Sequence, residues 1–108
     1  MISSDTVRGY NDIMILFLLL EKSSYGYEIS KKITELSEGE YVIKETTLYS
    51  AFNRLEKNNY IESFPGTKTN GKKRIYYRIT DLGISYYDEK YEEWQLAKKI
   101  IEKFIKKV

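Results

Sequence analysis

The chain has 108 residues, of which 42% are apolar and 31% are charged, and it contains neither cysteine nor histidine. This length suits one domain, and the composition is that of a globular protein rather than of an intrinsically disordered one. The two missing residue types exclude disulfides, thiolate or imidazole metal sites, and Ser-His or Cys-His catalysis. The carboxylates are scattered and no glycine-rich phosphate loop is present, so we expect neither an enzyme nor a cofactor.

Charge is distributed unevenly along the chain, although the net charge is only +2. Residues 1–41 carry four Lys or Arg against seven Asp or Glu, whereas residues 42–78 carry eight against three. A basic middle third on a nearly neutral protein is typical of a surface that meets phosphate. The longest apolar run, residues 13–20, is far shorter than the ~20 residues that span a bilayer, and no secretory signal is recognisable. We therefore expect a cytoplasmic protein with no membrane contact.

Apolar residues at helical spacing predict two helices in the first third of the chain. The first is expected over residues 6–21, with Asp5 or Ser4 as its cap, and buried on nearly all sides because residues 13–20 are all apolar. A helix without a polar face belongs in a core or an oligomer interface. The second helix is expected over residues 25–36 and is amphipathic.

A third helix is predicted over residues 45–58, after a turn at 37–39 and a short extended stretch at 41–43. Asn59 suits a left-handed helix stop. The spacing divides the third helix into a buried face with Leu48, Ala51, Phe52 and Leu55, and an outward face with Thr46, Thr47, Tyr49, Ser50, Asn53, Arg54 and Lys57.

The remaining sequence predicts a hairpin and one long helix. Strands are expected at residues 60–64 and 74–79, joined by residues 65–73, in which Asn70-Gly71 is a strong turn signal. Tyr76 and Tyr77 must face opposite sides of the hairpin, although the pattern leaves open which one enters the core. Thr80 is a plausible N-cap for a helix that runs from residue 81 to near residue 108.

Three helices followed by a two-stranded hairpin is the order of a winged helix-turn-helix, an α+β fold in which the third helix enters the major groove and the hairpin touches the flanking backbone. Each feature also has a simpler interpretation, because an outward polar face is usually only solvated and a basic loop is common. Their combination in this order favours DNA binding. The residues expected to contact DNA are Thr46, Thr47, Tyr49, Ser50, Asn53, Arg54, Lys57, Lys68, Lys72, Lys73, Arg74 and Tyr27. Tyr25 and Tyr27 either pack against the third helix or donate hydroxyls to phosphate, and packing is expected for at least one of them.

Several short motifs carry a family resemblance. They are Tyr25-Gly26-Tyr27-Glu28-Ile29, Thr47-Leu48-Tyr49, Arg54-Leu55-Glu56-Lys57 and Arg74-Ile75-Tyr76-Tyr77-Arg78-Ile79-Thr80, followed by Gly83. In their order and spacing the chain resembles the PadR family of transcriptional regulators over nearly its whole length. Its shortness resembles the branch of that family with a single C-terminal helix, which includes the small multidrug-binding regulator of lactococci.

The last helix carries a heptad-like apolar seam. Its members are Tyr87, Trp94, Ile101 and Val108, seven residues apart, with Ala97 and Phe104 between them. A single helix cannot bury such a seam, so we expect a homodimer with these residues at its interface. Residues 1–80 are then the DNA-binding domain, and residues 81–108 are a dimerisation helix that forms one structural unit with the first helix.

Trp94 has two interpretations. From the residues alone it fills the dimer interface. The family resemblance implies instead a slot for a planar aromatic molecule, lined by Trp94, Tyr91, Tyr87, Gly9, Tyr10 and Ile13. Lys98 lies one helical turn beyond Trp94 and, facing such a slot, would disfavour a cationic ligand.

These observations lead to a functional hypothesis and a rival. The first is a homodimeric repressor that binds a palindromic operator and releases it when a small aromatic molecule enters the dimer interface. The alternative is a winged helix used only for protein contacts, in which the basic hairpin engages an acidic partner. Salt-sensitive binding to duplex DNA distinguishes the two.

Overall fold

The computed structural model describes residues 1–69 and 72–108, with side chains described outside residues 67–72. The helices are α1 (Ser4–Val7), α2 (Asn11–Glu21), α3 (Gly26–Leu36), α4 (Glu45–Lys57) and α5 (Asp81–Glu102), with a 3₁₀ turn at Arg8–Tyr10 between the first two. The strands are β1 (Ser24–Tyr25), β2 (Ile61–Thr69) and β3 (Lys72–Ile79). The predicted α+β class is confirmed.

The N-terminal helix predicted as one piece is two helices joined by the 3₁₀ turn. The interruption contains Gly9, whose conformational freedom disfavours a helix interior. The predicted caps were also wrong, because the Ser3 hydroxyl accepts a hydrogen bond from the Thr6 amide. Within the single chain this helix is not buried on all sides, since Phe17 and Leu20 are exposed, so of the two predicted places only an oligomer interface would bury them.

The core surrounds α2, which packs against α3, α4, α5 and β3. The largest fully buried side chains come from several of these elements and are Ile15, Leu16, Ile29, Phe52, Leu55 and Ile61. Leu48, Ala51, Phe52 and Leu55 are all buried, so the predicted inner face of α4 is confirmed. The position of α4 is therefore fixed by one continuous apolar face.

A buried hydrogen bond ties the segment before α4 to the start of α2. The Tyr41 hydroxyl donates to Asn11 Oδ1 at 2.6 Å, and both side chains are almost completely buried. Chain reversal after α3 uses Glu38 and Gly39, whose φ angles are 55° and 79°. The expected extended stretch at residues 41–43 has the alternation of a strand, with Val42 exposed between two buried residues, but it is not one of the three described strands of the sheet.

The described strands form an antiparallel sheet in the order β1-β3-β2. Strand β1 was not predicted, because two residues are too few for a periodic signal. It pairs Ser24 with Tyr77 and Tyr25 with Tyr76. The predicted strands were too short, since β2 continues to Thr69 and β3 begins at Lys72. The predicted Asn70-Gly71 turn lies outside the described residues.

Of the two neighbouring tyrosines on β3, Tyr77 enters the core. Its ring stacks on Phe52 of α4, with centroids 4.1 Å apart and planes 20° from parallel. Tyr76 lies on the other face, between Tyr25 and Phe64. The hairpin and α4 thus share one aromatic contact, which fixes the base of the hairpin against the helix.

Helix α5 begins as predicted and ends earlier than predicted. The Thr80 hydroxyl accepts a hydrogen bond from the Gly83 amide at 3.0 Å, which confirms the cap. The helix ends at Glu102, where the Lys103 and Phe104 amides bond to carbonyls three residues back and tighten the last turn. The predicted seam therefore loses two members, because Phe104 and Val108 lie beyond the helix.

Candidate nucleic-acid interface

Helix α4 presents a polar face to solvent, opposite the buried one. Its exposed side chains include Thr46, Ser50, Asn53 and Lys57, and Glu45, Arg54 and Glu56 are also exposed on this helix. Thr47 is half-buried. Tyr49 is partly exposed but packs its edge on Phe52, with centroids 5.4 Å apart. Hydroxyls, an amide and an ammonium on one exposed helix face are the groups that read base edges and contact phosphates.

Arg54 is not the freely projecting side chain that its place on α4 suggests. Its Nε donates to Asp12 Oδ2 at 2.9 Å and its Nη2 donates to Asp12 Oδ1 at 2.6 Å. This two-point hydrogen bonding to Asp12 raises the pKa of Arg54 above its ordinary value. Sequence reasoning missed Asp12, since 42 positions separate the partners and no local pattern links them.

A polar cleft of about 390 Å³ lies between this part of α4 and the start of α2. Its lining consists of Arg8, Gly9, Asn11, Asp12, Thr46, Thr47, Ser50 and Arg54. Three of the residues expected to contact DNA from α4 therefore share one cleft with Arg54. Arg8, which the sequence did not single out, is exposed and forms an ion pair with Asp5.

The basic side chains of the hairpin differ in their exposure and in their contacts with other residues of the protein. Lys73 is exposed. Arg74 is half-buried, and its guanidinium carbon lies 4.2 Å from the centre of the Tyr25 ring, a cation–π contact. The side chains of Lys68 and Lys72, which were also expected at DNA, lie outside the described residues.

Tyr27, in the first turn of α3, is 72% exposed, whereas Tyr25 packs on the sheet. Tyr25 therefore packs, although its described aromatic contact is with Tyr76 of β3 and not with the third helix as considered from the sequence. The Tyr27 hydroxyl remains accessible to a phosphate.

An aromatic cavity of about 320 Å³ lies between the start of α2 and the middle of α5. The structure brings Gly9, Tyr10, Ile13, Tyr87, Tyr91 and Trp94 together there, and adds Asp12, Tyr86, Lys90, Glu93 and Ala97. Tyr10 meets Trp94 edge to face with centroids 5.4 Å apart. Lys98 is exposed and is not part of the cavity's described lining.

The charged groups at this cavity are paired with one another or with groups outside it. Lys90 Nζ lies 3.4 Å from both Glu93 carboxylate oxygens, and Asp12 is held by Arg54. Tyr86 stacks on Tyr60 with centroids 4.1 Å apart, and burial raises its pKa. The cavity thus has aromatic walls, two carboxylates and one ammonium group, that of Lys90.

An apolar surface extends along α2 and α5. Phe17 and Leu20 of α2 are exposed, as are Trp94 and Ile101, which lie seven residues apart on α5. Leu96 and Ile100 are exposed on a different stripe of that helix. The two predicted seam members Tyr87 and Ala97 are half-buried. A further apolar cavity of about 470 Å³ shares Ile13 and Tyr87 with the aromatic cavity and is otherwise lined mostly by aliphatic and aromatic residues from α1, α2 and α3.

Helix α4 with its outward polar face, followed by a hairpin with exposed basic charge, defines a winged-helix DNA-binding protein. The sequence model described as "Transcriptional regulator PadR-like family" matches residues 15–89. The chain belongs to this family, whose members are DNA-binding transcriptional regulators and not enzymes.

Solved structures agree with the assignment. A transcriptional regulator of Clostridium thermocellum is 61% identical with a TM-score of 0.90, covering 98% of this chain and 100% of that one. A PadR family transcription regulator of Clostridium difficile is 38% identical with a TM-score of 0.76, covering 89% and 98%. The chain is also 49% identical over 105 residues to a Lysinibacillus sphaericus protein named "Uncharacterized protein X", covering 97% and 96%.

No described helix is long and apolar enough to cross a membrane. The part of the chain that the structure describes also holds no group of three or more acidic side chains placed to bind a metal ion.

Proposed function

We propose that this regulator is a repressor that binds a palindromic operator as a homodimer and releases it when a planar aromatic molecule occupies the aromatic cavity. Residues 1–80 serve as the DNA-binding part and residues 81–108 as the dimerisation part. The observation that carries the DNA-binding half of the proposal is the division of α4 into a fully buried inner face and an exposed polar outer face.

The docking geometry follows from that division. With the inner face of α4 fixed by Phe52 and its neighbours, the outer face is free to enter a major groove. Asn53 is suited to an adenine edge, whereas Lys57 and Lys73 are suited to phosphates. Tyr27 adds a hydroxyl for the backbone. Lys68, Lys72 and Arg74 are proposed as further wing contacts, by their place at or near the tip.

The apolar surface of α2 and α5 supports a homodimer. Trp94 and Ile101 stay exposed seven residues apart on a helix about 33 Å long. Phe17 and Leu20 extend that surface onto α2. We propose that a two-fold axis through it brings the two α4 helices to successive major grooves, which lie about 34 Å apart, and this implies a palindromic operator.

The aromatic cavity supports a ligand-responsive regulator. Its volume of about 320 Å³ suits a small planar molecule, and Tyr10, Tyr91 and Trp94 offer rings for stacking. A ligand that prefers one separation of the two α5 helices would shift the dimer towards that arrangement, and only this difference in affinity can release DNA. Tyr87 and Trp94 line the cavity and also belong to the proposed dimer seam, so the same residues would sense the ligand and the partner.

DNA binding is tested with duplex from the region upstream of the gene and with a scrambled duplex of equal length. Lys57→Ala and Lys73→Ala should each weaken binding to both duplexes. Each should also make the plot of log K against log salt less steep, by about the contribution of one phosphate contact per chain. Asn53→Ala should weaken binding to the upstream duplex only. Lys31→Ala, which removes an exposed charge from α3 instead, is the matched control.

The outcomes separate the proposal from its rival. Loss of affinity in the α4 and hairpin variants, with the control unchanged, supports the interface. Wild-type protein that binds neither duplex at low salt would contradict it and would favour a winged helix that contacts only other proteins.

A further inference from the structure

Asp12 occupies an unusual position, because it belongs to both the aromatic cavity and the polar cleft beside α4. It lies in the first turn of α2, and its carboxylate holds Arg54 through two hydrogen bonds of 2.9 and 2.6 Å. The Asp12 side chain is only 20% exposed, whereas that of Arg54 is 52% exposed. One carboxylate is thus reachable from the cavity and also determines where a cation of α4 lies.

Arg54 keeps unused hydrogen-bonding capacity in this arrangement. A guanidinium has five N–H donors in a fixed planar fork, and Asp12 accepts from Nε and one terminal nitrogen. The other terminal nitrogen remains available on a half-exposed side chain. A guanidinium held in place in this way loses little further freedom when it meets a phosphate.

We propose that Asp12 transmits the occupancy of the aromatic cavity to α4. A planar aromatic cation in the cavity draws the Asp12 carboxylate away from Arg54, and Arg54 then loses the fixed position from which it contacts a DNA phosphate. This inference rests on the proposed function, because it needs both a ligand in the cavity and DNA on α4.

The charge of the ligand follows from the exchange at Asp12. If one cation replaces another on the same carboxylate, the cavity is left with no unpaired charge, and the released Arg54 is already half-exposed to water. A neutral or anionic molecule of the same shape offers Asp12 no replacement partner. The rings of Tyr10 and Trp94 in the cavity wall also favour a cation, whereas Lys90 Nζ already lies 5.5 Å from the centre of the Tyr86 ring.

The second carboxylate of the cavity provides an internal comparison. Glu93 lines the same cavity but is engaged by Lys90, on its own helix, and has no contact with α4 among the described hydrogen bonds. A cation that exchanged with Lys90 would gain the same charge pairing without disturbing Arg54. Asp12 and Glu93 therefore carry the same charge, but of the two only Asp12 is hydrogen-bonded to α4 among the described contacts.

The test uses the full chain, a Cy5-labelled upstream duplex, and two xanthene dyes of similar shape, cationic rhodamine 123 and anionic fluorescein. Dye anisotropy gives the affinity for each dye, and Cy5 anisotropy gives the affinity for DNA with and without saturating dye. The ratio of the two DNA affinities is the coupling factor. A titration of each dye with DNA in the absence of protein corrects for binding of the dye to DNA itself. In the wild type, rhodamine 123 should weaken DNA binding by about fivefold or more, and fluorescein should not.

Asp12→Asn should bring the coupling factor close to one at saturating rhodamine 123 and should also weaken DNA binding without dye. Glu93→Gln should lower the affinity for rhodamine 123 yet keep the coupling factor once the dye is saturating. Arg54→Lys keeps the charge without the two-point contact and should likewise lose most of the coupling, which gives a second route if Asp12→Asn folds poorly. In the double variant, Asp12→Asn should add nothing to Arg54→Lys.

Three results would overturn the inference, and they are distinguishable from failure of the proposed function. Full coupling in Asp12→Asn, equal coupling by fluorescein, or rhodamine 123 binding without any effect on DNA would each refute the role of Asp12 while the DNA-binding function stands. If rhodamine 123 does not bind the wild type at all, the ligand-responsive part of the proposed function fails and this inference fails with it, whereas specific DNA binding is unaffected.

Discussion

Replacement of Tyr41 by Phe removes one oxygen atom from the core and tests how the segment before α4 is held. The Tyr41 side chain is 5% exposed, and its hydroxyl donates to Asn11 Oδ1 at 2.6 Å. The Asn11 amide nitrogen donates in turn to the Arg8 carbonyl at 3.4 Å. Among the described residues no buried side-chain nitrogen or oxygen lacks a partner, so the variant creates the first such atom.

The expected cost follows from what is left behind. The ring remains, so no cavity larger than a hydroxyl forms, and the loss is that of one hydrogen bond plus the burial of an unpaired Asn11 oxygen. A buried acceptor without a partner costs about 1–3 kcal/mol. For a domain of this size, each kcal/mol corresponds to about 4–8 °C in Tm.

Thermal or urea unfolding at one fixed protein concentration measures the effect, because association would otherwise change the apparent stability. Tyr27→Phe is the matched control, since it makes the same chemical change at a tyrosine that is 72% exposed, and it should stay within about 0.5 kcal/mol of the wild type. A double-mutant cycle with Asn11→Ala should give a coupling energy of about 1 kcal/mol. If Tyr41→Phe costs no more than Tyr27→Phe, the hydrogen bond does not stabilise this segment.

Three further predictions concern stability and association. Burial raises the pKa of Tyr41, Tyr77 and Tyr86, so the folded state binds their protons more tightly than the unfolded state does. As far as these tyrosines determine it, the free energy of unfolding should be level below about pH 10, the ordinary pKa of tyrosine, and should fall as the pH rises through the raised values. Urea unfolding at a series of pH values measures this. Gly83→Ala should destabilise the fold by about 1–3 kcal/mol in the same assay, because a Cβ there would overlap the Tyr60 carbonyl oxygen. Gly9→Ala is the control and should not destabilise, since its Cβ would meet nothing within 4 Å. Equal effects of the two variants would contradict the close packing of α5. Ile101→Glu should yield a monomer in light scattering and Ile75→Glu should not, although both isoleucines are 51% exposed; a dimer that survives in both would place the interface elsewhere.

Those parts of the fold that depend on near neighbours in sequence were predictable. The inner face of α4 follows from the spacing of Leu48 and Phe52, and the start of α5 follows from a threonine that precedes a helical pattern. Asn59 was predicted to stop α4, and its φ of 63° agrees. In each case the physical cause lies within one or two helical turns of the residue concerned.

What could not be predicted depends on distant contacts or on very short elements. Strand β1 exists because Ser24 and Tyr25 meet β3 more than fifty positions later. The choice between Tyr76 and Tyr77 was settled by Phe52, which only the folded chain brings near. A sequence pattern gives the period of a strand but not which face its partner covers.

The aromatic cavity shows the same limit for a candidate site. The sequence placed Lys98 at the ligand because it lies one turn after Trp94 on the same helix. The opposing wall comes from residues 9–13, which lie against residues 86–97 of α5, so the cavity ends before Lys98. The charged residues that line it are Asp12, Glu93 and Lys90, and Lys90 is paired with Glu93. The expected objection to a cationic ligand therefore does not arise from Lys98.

The number of basic residues in the middle third of the chain does not by itself predict DNA affinity, because some of these residues are already engaged within the fold. Of its cations, Arg54 is held by Asp12, Arg78 lies 3.1 Å from Glu62, and Arg74 covers the Tyr25 ring. Among the residues whose side chains are described, the exposed lysines of this segment are Lys44, Lys57 and Lys73, and none of them is within ion-pair distance of another described residue.

An arginine that is already paired with a carboxylate should cause the release of fewer counterions from DNA than an exposed lysine does, because its charge is partly balanced in the unbound protein. The salt dependence of binding should therefore reflect the lysines more than the arginines. Removal of Lys57 or Lys73 should change the slope, whereas removal of Arg54 should change mainly the affinity, because Arg54 acts through its fixed geometry. A slope that falls equally in all three variants would show that Arg54 leaves Asp12 and behaves as an independent cation when DNA binds.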